Sequence, residues 1–110
     1  MPIQKFAKVA VTGDSMQPTL YAGDWALFRY WPDGVPPRIG KRSIGKVVLL
    51  RRKVAPGELV VKRITEQLDT GFWVEGDNPS ASTDSRHYLT VSREEIVGRL
   101  ICRYHRAPRR

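Results

Sequence analysis

The chain has one cysteine and two histidines among its 110 residues. A single thiol rules out an internal disulfide and permits a reducing compartment. Cys102 sits in an apolar stretch and is expected to act as a small core hydrophobe. Cys102 and His105 have a ligand-like spacing, but His87 is the only other histidine. We therefore expect no metal site and no cofactor. Long apolar runs are also missing. Stretches such as Val47-Val48-Leu49-Leu50 stop at about four residues, far short of the ~20 that cross a bilayer. Only 14 residues precede Ser15, and Lys5 and Lys8 are among them. The expectation is a soluble, cytoplasmic chain with no secretory signal and no membrane anchor.

Acidic residues are scarce: 11, against 19 lysines and arginines, for a net charge of +8. The excess is local. Residues 38–53 hold seven basic side chains and no acidic one, and the stretch from Arg99 adds five unopposed arginines. Such a surface aids solubility or attracts an acidic partner, a nucleic acid or a membrane surface. Charge alone does not choose among them.

What the chain does have is many short apolar stretches separated by turns. Residues 5–11, 25–31, 46–52, 59–65, 72–74 and 97–104 read as strands, and Asp69-Thr70-Gly71 reads as a hairpin turn. Residues 31–45 form a basic loop rich in Pro and Gly. Residues 76–86 are too rich in Asn, Pro and Ser to be regular. Ser92-Arg93-Glu94-Glu95 has a capping-box pattern and predicts one short helical turn. The fold class expected is mostly β: a compact antiparallel domain spanning residues 1–110, with its core at about 6–105 and a basic, frayed tail from about His105 onward.

The chain is organised around Thr12-Gly13-Asp14-Ser15-Met16-Gln17-Pro18-Thr19-Leu20, a serine in a turn between two strands. Gly13 frees the backbone before Ser15, and Pro18 fixes it after. Most such serines only cap a nearby backbone group. A serine hydroxyl becomes a nucleophile when a base removes its proton. His87 lies beside the polar loop and could serve, though nothing around it signals that role. Lys62, in Val60-Val61-Lys62-Arg63-Ile64, shares a strand face with Val60 and Ile64. Taken alone it reads first as a solvent-facing lysine. If buried it would be desolvated, its pKa lowered, and a neutral amine made available near pH 7. Arg63 faces the other way and cannot act as a base.

Ser15-Met16-x-Pro18-Thr19-Leu20, the Val60–Ile64 block and Gly76-Asp77-Asn78-Pro79-Ser80-Ala81-Ser82-Thr83-Asp84-Ser85-Arg86 together resemble the signal-peptidase-type serine proteases, which use a Ser/Lys pair. The blocks occur in the family's order and cover about residues 9–105. The resemblance implies Ser15 as nucleophile, Lys62 as general base and Ser82 as the hydroxyl that orients the lysine amine. It implies oxyanion donors from backbone N–H groups at Gly13 and Ser15, and structural support from Met16, Pro18, Asp77, Asn78, Asp84 and Arg86. Some relatives carry a hydroxyl where Gly13 stands, so here any such help would come from Thr12. Two further departures are structural: Gly45-Lys46 in place of Gly-Asp, and Leu89 in place of a glycine.

The function so implied is a serine endopeptidase acting on a propeptide or signal-like peptide bound in extended form. Size and layout are nearest to the short anchorless proteases that remove the N-terminal propeptide of nickel-type superoxide dismutase. An anchorless signal peptidase is the alternative. The self-cleaving repressor group carries more chain ahead of its serine than the 14 residues here allow. A basic nucleic-acid-binding β module would use Phe28-Arg29-Tyr30-Trp31 for stacking, but it leaves residues 76–86 unexplained. No nucleic acid is expected as a partner; a peripheral membrane contact through residues 38–53 is compatible with the charge.

Overall fold

Val47, Val48, Leu49 and Leu50 are all buried. On a strand, neighbours point to opposite faces, so four buried residues in a row require cover on both sides. Val48 and Leu50 enter one apolar cluster with Ile64, Phe72, Val74 and Ile96. Val47 and Leu49 enter a second with Val11, Met16, Leu20 and Phe28. The fold is built around this doubly covered strand.

The structure, a computed structural model, describes residues 5–31 and 39–108. Its strands are β1 (Lys5–Ala10), β2 (Trp25–Tyr30), β3 (Val47–Leu50), β4 (Val60–Leu68), β5 (Gly71–Glu75) and β6 (Ile96–His105). They form one sheet in the order β1-β2-β6-β3-β4-β5, and every neighbouring pair is antiparallel. The mostly antiparallel β expectation is met. The helical turn expected at residues 92–95 is present as a 3-10 turn over Arg93–Glu95, with the Ser92 N–H donating to Glu95 Oε1 at 2.9 Å.

Four local expectations need correction. Residues 76–86 are not wholly irregular: a 3-10 turn spans Pro79–Ala81, and a one-turn helix, α1 (Ser85–Tyr88), starts at their end. Asp84 caps that helix by accepting from the Arg86 N–H, so a carboxylate at the N-cap won over the breaker composition. Cys102 is exposed and not in the core. β6 pairs with β3 only up to Arg99 and beyond that with β2 alone; Leu100 still packs against the second apolar cluster, and residues 101–105 are exposed. His105 is not frayed: it ends β6 opposite Trp25. Just beyond it, the Ala107 N–H donates to the buried carboxylate of Asp24 at 2.8 Å. Finally, the loop expected over residues 31–45 contains a 3-10 turn at Lys41–Ser43, while its residues 32–38 lie outside the described residues.

Among the described residues, two strand edges are open beside the serine turn. β1 ends the sheet on one side. β4 takes β5 as a partner only from Arg63 onward, so residues 60–62 are paired on the β3 side alone.

Candidate active site

The serine turn is fixed from below by apolar burial and from the side by hydrogen bonds. Met16 and Leu20 are almost fully buried in the second cluster, each contributing about 1.5–3 kcal/mol by leaving water. The Leu20 N–H donates to the Met16 carbonyl at 2.9 Å, and the Gln17 N–H to that of Asp14 at 3.2 Å. The Gln17–Pro18 peptide is cis, and Gly13 has φ +73°, a left-handed conformation suited to glycine. Asn78 reaches across from the polar loop: its N–H donates to the Ser15 carbonyl at 2.8 Å and its side-chain amide to that of Asp14 at 3.0 Å.

The polar loop and β4 then meet in two adjacent networks. In one, Lys62 Nζ donates to Ser82 Oγ at 3.0 Å, and Ser82 Oγ donates to Asp84 Oδ2 at 2.6 Å. Asp84 also accepts from the Gly76 N–H at 2.8 Å and from Arg86 Nε at 2.9 Å, and it is wholly buried. In the other, Asp77 accepts from Arg63 Nε and Nη2 at 2.9 and 2.7 Å and from the Thr19 hydroxyl. Each block of the motif therefore bonds to another. Gly76 stands where they converge: a Cβ there would lie 2.6 Å from Ser82 Cβ and 2.7 Å from the Ser15 carbonyl oxygen, too close for any side chain.

Lys62 is 5% exposed. Burial pushes its amine below the ordinary lysine range; the Asp84 carboxylate opposes this and the Arg86 guanidinium assists it. Burial pushes the Asp84 carboxyl upward, but hydrogen bonds from Arg86, Ser82 and two backbone N–H groups outweigh it and hold the group well below the carboxylate range. The net result is a lysine biased toward its neutral form beside a carboxylate fixed in its charged form.

Ser15 and Lys62 line one small cavity of about 100 Å³, together with Thr12, Met16 and the open edges of β1 and β4. Among the described residues no hydrogen bond joins Ser15 Oγ to Lys62 Nζ; the amine is held by Ser82 instead. The site residues read from the sequence thus come together: Ser15, Gly13, Met16 and Pro18 in the turn, Lys62 on β4, and Asp77, Asn78, Ser82, Asp84 and Arg86 in and after the loop. His87 reaches this group only at its rim: its Nδ1 accepts from the Asp84 N–H at 3.2 Å, as part of the cap of α1, and its side chain is more than half exposed.

Sequence reasoning missed three residues. Arg63 does face away from Lys62, but that is how it reaches Asp77. Thr19 and Gly76 were visible only as letters of the motif, because their partners lie 58 positions away and six positions on. No group of His, Cys, Asp or Glu among the described residues could hold a metal. No helix there is long and apolar enough to cross a membrane.

A six-stranded antiparallel sheet that buries a lysine against a serine and places it in one cavity with a second serine has the form of a signal-peptidase-like domain. No family model matches the chain. The chain is 34% identical to the mitochondrial ATP-independent inner membrane protease subunit 1a of Arabidopsis thaliana, over a match that covers 84% of this chain and 67% of the relative. It belongs to the signal-peptidase-like family of proteases that includes that subunit.

Proposed function

We propose that the protein is a serine endopeptidase in which Ser15 is the nucleophile and Lys62 the general base. The observation that carries this reading is the buried amine of Lys62, held by Ser82 at 3.0 Å in the cavity that Ser15 also lines. The neutral amine takes the Ser15 proton as Oγ attacks the peptide carbonyl carbon, and the same ammonium then returns the proton to the leaving amine. The oxyanion is received by backbone N–H groups of the turn at Gly13 and Ser15. Ser82, anchored by Asp84, is a positioning residue that keeps the amine in the cavity. The final approach of Nζ to Oγ belongs to the peptide-bound state.

The substrate is a protein segment bound in extended form. Among the described residues, the edge of β1 and residues 60–62 of β4 flank the cavity and offer backbone without a strand partner on two sides. A cavity of about 100 Å³ suits a small side chain next to the cut. At the finest level, the candidate substrate is the N-terminal propeptide of a nickel-type superoxide dismutase. A second candidate is a signal-like peptide presented at a membrane, which the name of the relative favours. A cytoplasmic location and peripheral contact through the basic surface accompany the first.

The test is to mix the purified protein with each precursor and sequence the new N-terminus, with Ser15→Ala as control. Cleavage at one defined bond, lost in Ser15→Ala, is the expected result. Cleavage that persists in Ser15→Ala would overturn the assignment of Ser15.

A further inference from the structure

A second and larger cavity adjoins the first. It measures about 450 Å³, within the range of ligand-binding pockets, and it shares Leu59 with the Ser15 cavity. Its walls are Ala7 of β1, Trp31, Leu49 of β3 and Val97 of β6, with Lys5 and Arg51 also lining it. No acidic side chain lines it among the described residues. Strand alternation places Ala7 on the face of β1 that carries Val9 and continues to Val11, both of which line the small cavity. The two cavities are therefore stations along one face of an open-edged strand. Ala7 lies five positions before Thr12, which is about 17 Å of extended chain.

We infer that this larger cavity is a second recognition site for the substrate, taking a bulky apolar side chain next to an acidic one about five residues from the bond that is cut. This rests on the proposed peptidase reading. A peptide laid along β1 with its small residue at Ser15 runs on to the second cavity without a bend. Apolar walls take the bulky group, and Lys5 and Arg51 meet the negative charge. Ala7 leaves the room: any larger residue there would occupy it. The chain so selects its substrate at two points, by smallness at the cut and by bulk and charge farther along.

The test uses peptides with one small-residue cleavage site, in which a Phe-Glu pair is moved stepwise from roughly two to eight residues from the cut, on either side. Ala-Ala in the same place is the reference. The expected result is a gain in kcat/KM of about tenfold or more at one placement near five residues. Ala7→Phe should bring that ratio close to one. Arg51→Glu should lower it for Phe-Glu and not for Phe-Lys. A flat ratio at all placements, or a gain that survives both substitutions, would overturn the inference. If no peptide is cut, the same labelled series is read by fluorescence anisotropy on the Ser15→Ala protein. A binding preference at that placement would uphold the groove while the peptidase reading fails; flat binding would overturn the groove itself.

Discussion

Arg63 grips the Asp77 carboxylate with two hydrogen bonds, from Nε at 2.9 Å and from Nη2 at 2.7 Å. One residue away on the same strand, Lys62 points to the opposite face and is buried against Ser82. The two neighbours divide the work: Arg63 ties β4 to the loop, and Lys62 enters the cavity. The hydrogen bond from Arg63 lowers the Asp77 carboxyl below its ordinary value; burial opposes this, and Thr19 adds to the lowering. Asp84 is lowered as well. A carboxyl with a depressed folded-state pKa adds stability above its unfolded value, near 3.9, that is lost as the pH falls toward the folded value. The protein should therefore lose stability on acidification below about pH 4. Arg63→Met should flatten part of that loss and lower stability at neutral pH by about 1 kcal/mol, a modest figure because the pair is partly exposed. Denaturant midpoints measured from pH 3 to 7 check this. An unchanged acid slope would show that Asp77 is not held as described.

Gly76 is the tightest point of the site. An added methyl would meet the Ser82 side chain and the Ser15 carbonyl oxygen. Gly76→Ala should push the loop away from the serine turn and reduce turnover by about a hundredfold, as misplacement near the chemistry does. Thermal unfolding and turnover, measured together, separate misplacement from collapse. Near-normal turnover in a folded Gly76→Ala protein would contradict the packing.

Ser82→Ala removes the hydroxyl between Lys62 and Asp84. The amine stays buried but loses its holder. Turnover should fall by about tenfold to a hundredfold, part of what a positioned base supplies, with a changed pH profile. Ser82→Thr, which keeps the hydroxyl, should recover most of the loss. A Ser82→Ala profile indistinguishable from wild type at every pH would remove Ser82 from the account.

Leu89 has φ +68° and ψ −151°, a conformation found almost only for glycine, and its side chain is 65% exposed. Little burial is lost by trimming it. Leu89→Gly should raise stability by about 1 kcal/mol, the strain relieved less the entropy that glycine adds to the unfolded chain. Leu89→Ala should give no such gain. A lower melting temperature for Leu89→Gly would mean that the leucine makes contacts that outweigh the strain.

The strands were legible in the sequence because alternation and turn residues are local signals: all six lie within a few residues of where residues 5–11, 25–31, 46–52, 59–65, 72–74 and 97–104 placed them. The departure at residue 89 was legible too, as a leucine where the family resemblance has glycine, but the strain it carries was not, because a backbone angle is set by the fold. Exposure of Cys102 was not, because it depends on β6 outrunning β3, a matter of sheet order. The Arg63–Asp77–Thr19 node was hidden for a similar reason. A strand arginine reads as solvent-facing, and only the fold brings a carboxylate to it. Lys62 on its own reads first as solvent-facing, and only the family resemblance pointed to a buried amine; the cavity it shares with Ser15 depends on where the fold places the serine turn.

The central claim is that the buried amine of Lys62 is the base for Ser15, and the most direct test is kcat/KM as a function of pH for the wild type beside Lys62→Arg. Burial disfavours the ammonium form, so the active neutral form should gain population as the pH rises, with a midpoint below the ordinary lysine value near 10.4. Wild-type turnover should climb through one such ionisation. Lys62→Arg keeps a positive charge that does not deprotonate, and it should stay at background at every pH. A Lys62→Arg protein that turns over at near wild-type rate, or a wild-type profile with no rise below the ordinary lysine range, would contradict the account.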